Sequence, residues 1–431
     1  MAPRSALASA KVNREAGRRG NRLGAFSLVQ EPAAGCSAGS DSRRPPRQYA
    51  LRVRRLLILV SAVVFADTML FSSIIPLLPT FADDYGLSKL QAGLLVGAYG
   101  AGAMIGGIPA GLLATRIGPK RTVVLGLVVL ALASVAFAFG GSPAVLGLTR
   151  FGQGLASAVT WSGALAWLTL SAPRDRRGQT LGTAFGFAVL GFIVGPAIGA
   201  VGELTSIAWV FTAVAAGLGL LALAAASFPA ARGDVDHPGA LRRTLRDTGF
   251  LTAVWLTLVP ALFFGVLDVL VPLSLDASGW DAVAIAATFV VAGLFEVALA
   301  PLIGRVSDRR GRLYPLRAGL AILAVVACGF ALSTEAFVIV VLVVAASLAS
   351  SGIYTPGIAL VSDRAESGRV PQTLAFGVMN TAWAIGAMAG PAFGGALAEA
   401  VGDPAPYVVC ALVAVATLLL LARPGLEAKR V

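Results

Sequence analysis

From Leu56 onward the chain repeats one pattern, a long run of mostly apolar residues followed by a short polar break. A run of about 20 apolar residues is what one helical bilayer crossing requires. The pattern predicts helices over 56–80, 89–113, 122–139, 144–171, 179–202 and 207–228. After a longer polar segment it predicts six more, over 250–275, 282–304, 316–333, 336–361, 372–400 and 405–422. The expected fold class is therefore an all-α polytopic membrane protein whose twelve transmembrane helices form two pseudo-symmetric six-helix bundles, 51–228 and 250–422, joined by a cytoplasmic linker over 229–249. Residues 1–50 are rich in Arg, Ser, Gly, Ala and Pro and offer no apolar run to bury, so a disordered cytoplasmic tail is expected there, with a second short tail at 423–431. A targeting peptide fits less well, because no apolar segment precedes the first helix and Glu15 and Glu31 are out of place in a transit peptide. A start codon set too far upstream is the other reading of this segment.

Composition agrees with a chain whose surface faces lipid. Of 431 residues, 57% are hydrophobic and 13% charged, against roughly 25% charged in a soluble domain. The net charge is +12, but the basic residues are spread over tail and loops and build no single face for nucleic acid. Their distribution sets orientation instead. The even-numbered gaps carry Arg116, Lys120 and Arg121; Arg174, Arg176 and Arg177; Arg232, Arg242, Arg243 and Arg246; Arg305, Arg309, Arg310 and Arg312; and Arg364 and Arg369. The odd-numbered gaps carry Asp83, Asp84, Glu203, Asp276, Asp281, Glu335 and Asp403, with no Lys or Arg. Both termini are thus expected in the cytoplasm of an inner-membrane protein, and the Ala-, Gly- and Arg-rich usage points to a bacterial source. Cys36, Cys328 and Cys410 are far apart and His237 is the single histidine. That leaves no material for a metal site or a Ser-His-Asp triad, so neither an enzyme nor a cofactor is expected.

The two halves repeat each other in detail. Gly182, Gly191, Gly195, Pro196 and Gly199 of the fifth helix recur 195 positions later as Gly377, Gly386, Gly390, Pro391 and Gly394 of the eleventh. The loop from Gly111 through Arg116 and Gly118 to Arg121 recurs 193 positions on, from Gly304 through Asp308, Arg309 and Gly311 to Arg312. This second loop resembles the cytoplasmic signature of the major facilitator superfamily, in which the Asp caps a helix and latches the basic residues of the neighbouring loop. Thr115 stands where the first copy would carry that Asp, so it can cap but cannot form an ion pair. The fifth-helix pattern resembles the antiporter signature of that superfamily. It also has a plain reading, since small residues let helices approach closely and Gly-Pro permits a bend. The resemblance covers about 56–422 and implies paired bundles around a midplane cavity, with alternating access.

Polar residues at membrane depth carry the candidate chemistry. Arg150 and Gln153 lie in R-F-G-Q-G, which resembles a fourth-helix motif of the family. A guanidinium within the bilayer costs roughly 2.5–3.5 kcal/mol and is functional by default, with snorkelling to the interface as the alternative. Asp67 lies in F-A-D-T-M-L-F, resembling the drug:proton antiporter group, including vesicular amine transporters. Asp268 lies four residues before Pro272, and Glu296 falls outside any family motif. A carboxyl removed from water ionises less readily and can exchange protons, or when ionised hold a cation. Competition of proton and substrate for one carboxylate then gives exchange, and Arg150 would tune Asp67 if the two approach. For each acid the alternative is a structural hydrogen bond between helices. Trp161, Trp167, Tyr354, Asn380, Trp383 and Gln153 are candidate cavity residues. Gly217 to Ala222 mimics a dinucleotide fingerprint inside an apolar helix with no preceding strand and is set aside. No phosphate-binding G-x4-G-K-[ST] loop points to an ATP-driven pump. The expected activity is proton-coupled antiport that exports small hydrophobic or cationic organic molecules, by a monomer whose partners are substrate, protons and lipid. An importer or facilitator on the same fold, and a membrane receptor or assembly factor without transport, are the alternatives.

Overall fold

The computed structural model describes residues 47–173, 177–230, 245–368 and 372–422, with Arg242 and Val370 beside them. Most of the expected tails and linker, together with Cys36, His237, Arg174, Arg176, Arg232, Arg243 and Arg369, lie outside the described residues. Within them the chain is helical: α1 (Arg47–Ser72), a 3₁₀ turn (Ile75–Leu77), α2 (Leu78–Tyr85), α3 (Lys89–Ile117), α4 (Pro119–Ala138), α5 (Pro143–Ser171), α6 (Arg177–Leu204) and α7 (Ile207–Ser227). The second half continues with α8 (Thr248–Ala277), α9 (Ala282–Arg310), α10 (Leu313–Leu332), α11 (Ala336–Ser367), α12 (Gln372–Val401) and α13 (Pro404–Leu421). Taking α1, the turn and α2 as one crossing, this makes twelve. Eleven are both long and apolar enough to span a bilayer. The other, α5, is diluted by Arg150, Gln153, Ser157 and Thr160, all of them buried by neighbouring helices.

Several helices outrun the apolar segments that announced them. α3 continues through Arg116, α9 through Arg310 and α11 through Ser367. Leaving lipid does not end a helix, and basic side chains in a last turn favour its dipole. A glycine with positive φ does end two of them. Gly118 and Gly311, repeat partners, adopt nearly the same conformation, φ 86°, ψ 152° and φ 86°, ψ 156°. A side chain is strained there, which is why the loop motif keeps glycine. At the opposite face Ser88, Ser142, Ser206 and Asp281 cap the starts of α3, α5, α7 and α9.

Packing repeats as the sequence does. In the first half α1 lies on α6, α3 on α5, and α4 on α5 and α7; in the second α8 lies on α12, α9 on α11, and α10 on α11 and α13. Two seams join the halves, α3 with α12 and α6 with α9. The glycine motif explains the first pair of contacts. A methyl at Gly191, Gly195 or Gly199 would collide with the Phe65, Met69 or Ser73 carbonyl of the first crossing, one at Gly386 with Ala261 and Leu262 of α8, and one at Gly390 with the Leu262 carbonyl. Thr68 and Ser72 of α1 then donate to the Ala188 and Phe192 carbonyls of α6 (2.6 and 2.8 Å). A methyl at Gly182 or Gly377 would meet open space. The motif thus does similar packing work in both halves.

The first crossing breaks at Ser73–Leu77, where Pro76 and Pro79 lack the N–H that would continue the helical ladder. Arg150 of α5 reaches this break. Its Nη1 donates to the Leu70 carbonyl (2.9 Å) and its Nη2 to the Phe71 carbonyl (2.8 Å). The guanidinium is fully buried, so it does not snorkel.

Two outcomes follow for thermal unfolding in detergent. Gly390→Ala should cost about 1–3 kcal/mol by overpacking on α8, whereas Gly377→Ala, in open space, should be neutral or stabilising by up to about 1 kcal/mol; equal effects would contradict the packing account. Arg150→Met should cost about 2–3 kcal/mol because it leaves buried carbonyls without donors. Arg150→Lys, with a single point of donation, should recover only part of that.

Candidate functional site

A cavity of about 300 Å³ lies between the halves at mid-depth, lined by α1, α3, α5 and α6 on one side and α8, α9, α11 and α12 on the other. Three carboxyls face it, Asp67, Asp268 and Glu296, and among the described residues its lining contains no Lys or Arg. Of the residues named from sequence, Trp161, Tyr354, Asn380 and Trp383 also line it.

Asp67 is held by the neighbouring helix. The Ser157 hydroxyl and the Trp161 indole N–H both donate to Oδ2 (2.8 and 2.7 Å), and the two donors are one turn apart on α5. Tyr99 of α3 donates to the Asp67 main-chain carbonyl (3.5 Å). The Oδ1 atom is buried and has no partner among the described residues. One carboxylate oxygen is therefore fixed and the other left open, a geometry that holds the group in place while leaving a position for a proton. Asp268 on the opposite wall is 2% exposed, and its Oδ1 likewise lacks a partner among the described residues. A buried polar atom without a partner is costly and asks for a ligand, a proton or water.

Arg150 forms no ion pair with Asp67. It bonds the α1 carbonyls and Gln153 Oε1 (3.0 Å), and lies over the Tyr99 ring, 4.9 Å from its centroid. It meets Asp67 through the shared helix α1 and through Tyr99, and it lies near enough for its charge to act on the Asp67 carboxyl. Gln153 is corrected accordingly. It turns away from the cavity, accepting from Arg150 and donating to Ser134 of α4 (3.2 Å). Trp167 is also off the cavity, fully buried beside Phe228. Nothing in the sequence singled out the aromatic cluster in which Phe71 packs on Tyr99, Phe192 and Trp383, with ring centroids 5.1, 5.9 and 5.0 Å away. Towards the basic loops Phe185 meets Trp161 (5.4 Å) and, from the other half, Phe376 (5.3 Å). Ser157 could have been found, since it stands one turn before Trp161.

The halves are closed at the acidic-loop face. Gly93, Gly97 and Gly100 of α3 admit the backbone of Pro391, Met388 and Ala387 of α12 so closely that no side chain would fit. The Leu90 N–H donates to Glu399 (2.8 Å), and Lys89 pairs with Asp403. Lys89, the first residue of α3, is thus a basic group on the acidic face, neutralised in place. At the basic-loop face Arg312 bonds Asp308 (3.0 Å) and Asp363 (3.3 Å), all within the second half. Asp308, in the last turn of α9, thus holds Arg312 of its own loop, and Arg312 in turn reaches Asp363 in the last turns of α11. Thr115 bonds the Leu112 carbonyl of its own helix (2.8 Å), and Arg116, Arg121 and Arg309 are exposed. Among the described residues no group of His, Cys, Asp and Glu is arranged to hold a metal.

Comparison with known proteins places this architecture. Residues 59–370, and again 256–431, match the profile of the Major Facilitator Superfamily. Among curated relatives, an uncharacterised MFS-type transporter of Schizosaccharomyces pombe is 32% identical over 148 residues, 33% of each chain. The quinolone resistance protein NorA of Staphylococcus aureus is 31% identical over 126 residues, 29% of this chain and 32% of that one. The chain spans about a third of the length of the curated relatives it matches. Among solved structures, a bacterial homologue of the human lysosomal transporter Spinster, in an inward-facing, unoccupied conformation, superposes with a TM-score of 0.72 at 16% identity, over 90% of this chain and 100% of that one. With a family match over most of its length and that family's fold, the chain belongs to the Major Facilitator Superfamily of membrane transporters.

Proposed function

We propose that the chain is a proton-coupled antiporter that exports small hydrophobic or cationic organic molecules by alternating access. The observation that carries this reading is that Asp67 and Asp268, from opposite halves, face one apolar cavity with an unpartnered oxygen each. With the basic loops in the cytoplasm, as the loop charges favour, closure at the acidic face supports reading the cavity as shut to the outside. Substrate enters from the cytoplasm or the inner leaflet and settles between the two acids. The halves then rock, separating Lys89 from Asp403 and α3 from α12 at the outer face. Protons arriving from outside neutralise the carboxylates, release the substrate and reset the carrier. Arg150 acts by fixing the end of α1 and so the position of Asp67, one turn away. The resistance function in the name of the Staphylococcus aureus relative supports the direction of export.

The test is substrate-induced proton movement in inverted membrane vesicles. Asp67→Asn and Asp268→Asn should each abolish it while leaving the protein folded and inserted. Export that persists after both the pH gradient and the membrane potential are collapsed would contradict coupling.

A further inference from the structure

The halves repeat at a fixed distance along the chain, so each side chain that holds Asp67 has a definable counterpart. A shift of 193 positions carries the starts of α3 and α5, Lys89 and Pro143, onto those of α9 and α11, Ala282 and Ala336. It also carries the turn glycines Gly86 and Gly118, both with positive φ, onto Gly279 and Gly311, which have positive φ too. In this register Ser157 and Trp161, the donors to Asp67, become Ser350 and Tyr354 of α11, while Asp67 itself becomes Pro260 of α8. The second half thus keeps two hydrogen-bonding side chains of the holder and lacks its acid. Ser350 records the loss, for its hydroxyl is buried and has no partner among the described residues.

A carboxyl returns from the neighbouring helix. Glu296 of α9, whose counterpart in α3 is Ala103, lines the cavity with Tyr354, and its charge acts on the Tyr354 hydroxyl. Tyr354 also shares a hydrogen bond with the Trp383 side chain. Each half therefore presents a carboxyl with aromatic side chains beside it, Asp67 with Trp161 and Glu296 with Tyr354. That pairing suits an organic ammonium, which is drawn both by the carboxylate and by the rings. Asp268 corresponds to Ile75 and so lies about two turns nearer the acidic-loop face than the mirror position of Asp67. Its Oδ1 and the Ser351 hydroxyl are buried at the cavity wall without partners among the described residues, as in a site that a ligand completes. With no Lys or Arg among the described lining residues, three ionised carboxyls would leave one monovalent cation outnumbered.

We propose that Glu296 with Tyr354 is a second ammonium subsite and that the substrate is an organic dication, one charge between Asp67 and Asp268 and the other on Glu296. This rests on the transport reading above and narrows its substrate class. Glu296, which no family motif covers, thereby gains the role of second anchor.

The experiment is isothermal titration of the full chain in lipid nanodiscs, at alkaline pH where protons compete least for the carboxyls. Tetramethylene, hexamethylene and octamethylene bis(trimethylammonium) are compared with butyl-, hexyl- and octyltrimethylammonium, with empty nanodiscs as the blank. At the chain length that spans the subsites, the dication should bind about tenfold more tightly than its monovalent partner, the effect of a second ionic contact at low dielectric. Glu296→Gln, which keeps the shape of the side chain, should remove that preference and change monocation binding by less than about threefold. Glu296→Asp, which keeps the charge, should retain a preference, and Asp67→Asn should weaken both kinds of ligand. Monocation binding without a preference for any dication, a preference that survives Glu296→Gln, or an equal loss of both ligands in that variant would overturn the second subsite. Failure of every cation to bind would count against a cationic substrate altogether. None of these readings needs proton coupling or export, so a failed antiport assay beside a dication preference would count against the coupling alone.

Discussion

A backbone carbonyl inside a bilayer has no water to turn to, and the first crossing frees several where it breaks at Pro76. The rest of the site follows from how they are satisfied. Arg150 enters from α5 and donates to the Leu70 and Phe71 carbonyls. A guanidinium suits this because its planar fork reaches two acceptors at once. The contact fixes α5 against the end of α1, and the same face of α5 carries Ser157 and Trp161 down to Asp67. Glycines of α6 allow it to close on the same stretch from the other side. The carboxyl is thus held by a scaffold whose own polar groups are largely satisfied, and one oxygen is left over for chemistry.

The same constraint separates what was legible in the sequence from what was not. Twelve apolar runs and alternating loop charge give the crossings and their order, because lipid demands both. The glycine repeat gives the duplication, since backbone can approach backbone only where side chains are missing. Acids at depth are rare enough to be conspicuous, and Asp67, Asp268 and Glu296 face one cavity. Direction around a helix is another matter. In α5 Arg150, Gln153, Ser157 and Thr160 recur at helical spacing on one side, but nothing in R-F-G-Q-G says that Gln153 turns to Ser134 and away from the cavity. Phe71 is one phenylalanine among many until its partners from α3, α6 and α12 are seen around it. Asp308 resembles a latch between loops, but its partner Arg312 is its own neighbour one turn on.

Duplication gives the halves the same internal packing, and transport requires that they not stay equivalent. The seams differ at Gly107 of α3, which meets Thr381 of α12, whereas a side chain at Gly186 of α6, the repeat partner of Thr381, would meet open space. Closure at one face rests on backbone contact plus the partly exposed Lys89–Asp403 pair. Exposed pairs contribute about 0–1 kcal/mol, so the charges bias the closed face without locking it, as a carrier that must reopen requires.

The central claim is that the Asp67 carboxyl changes protonation when a cation occupies the cavity. Infrared difference spectroscopy of the purified protein on adding tetraphenylphosphonium reads this directly. The account predicts loss of a protonated-carboxyl band that is missing from the Asp67→Asn spectrum. A ligand-induced spectrum with no carboxyl change, or one identical in Asp67→Asn, would contradict it.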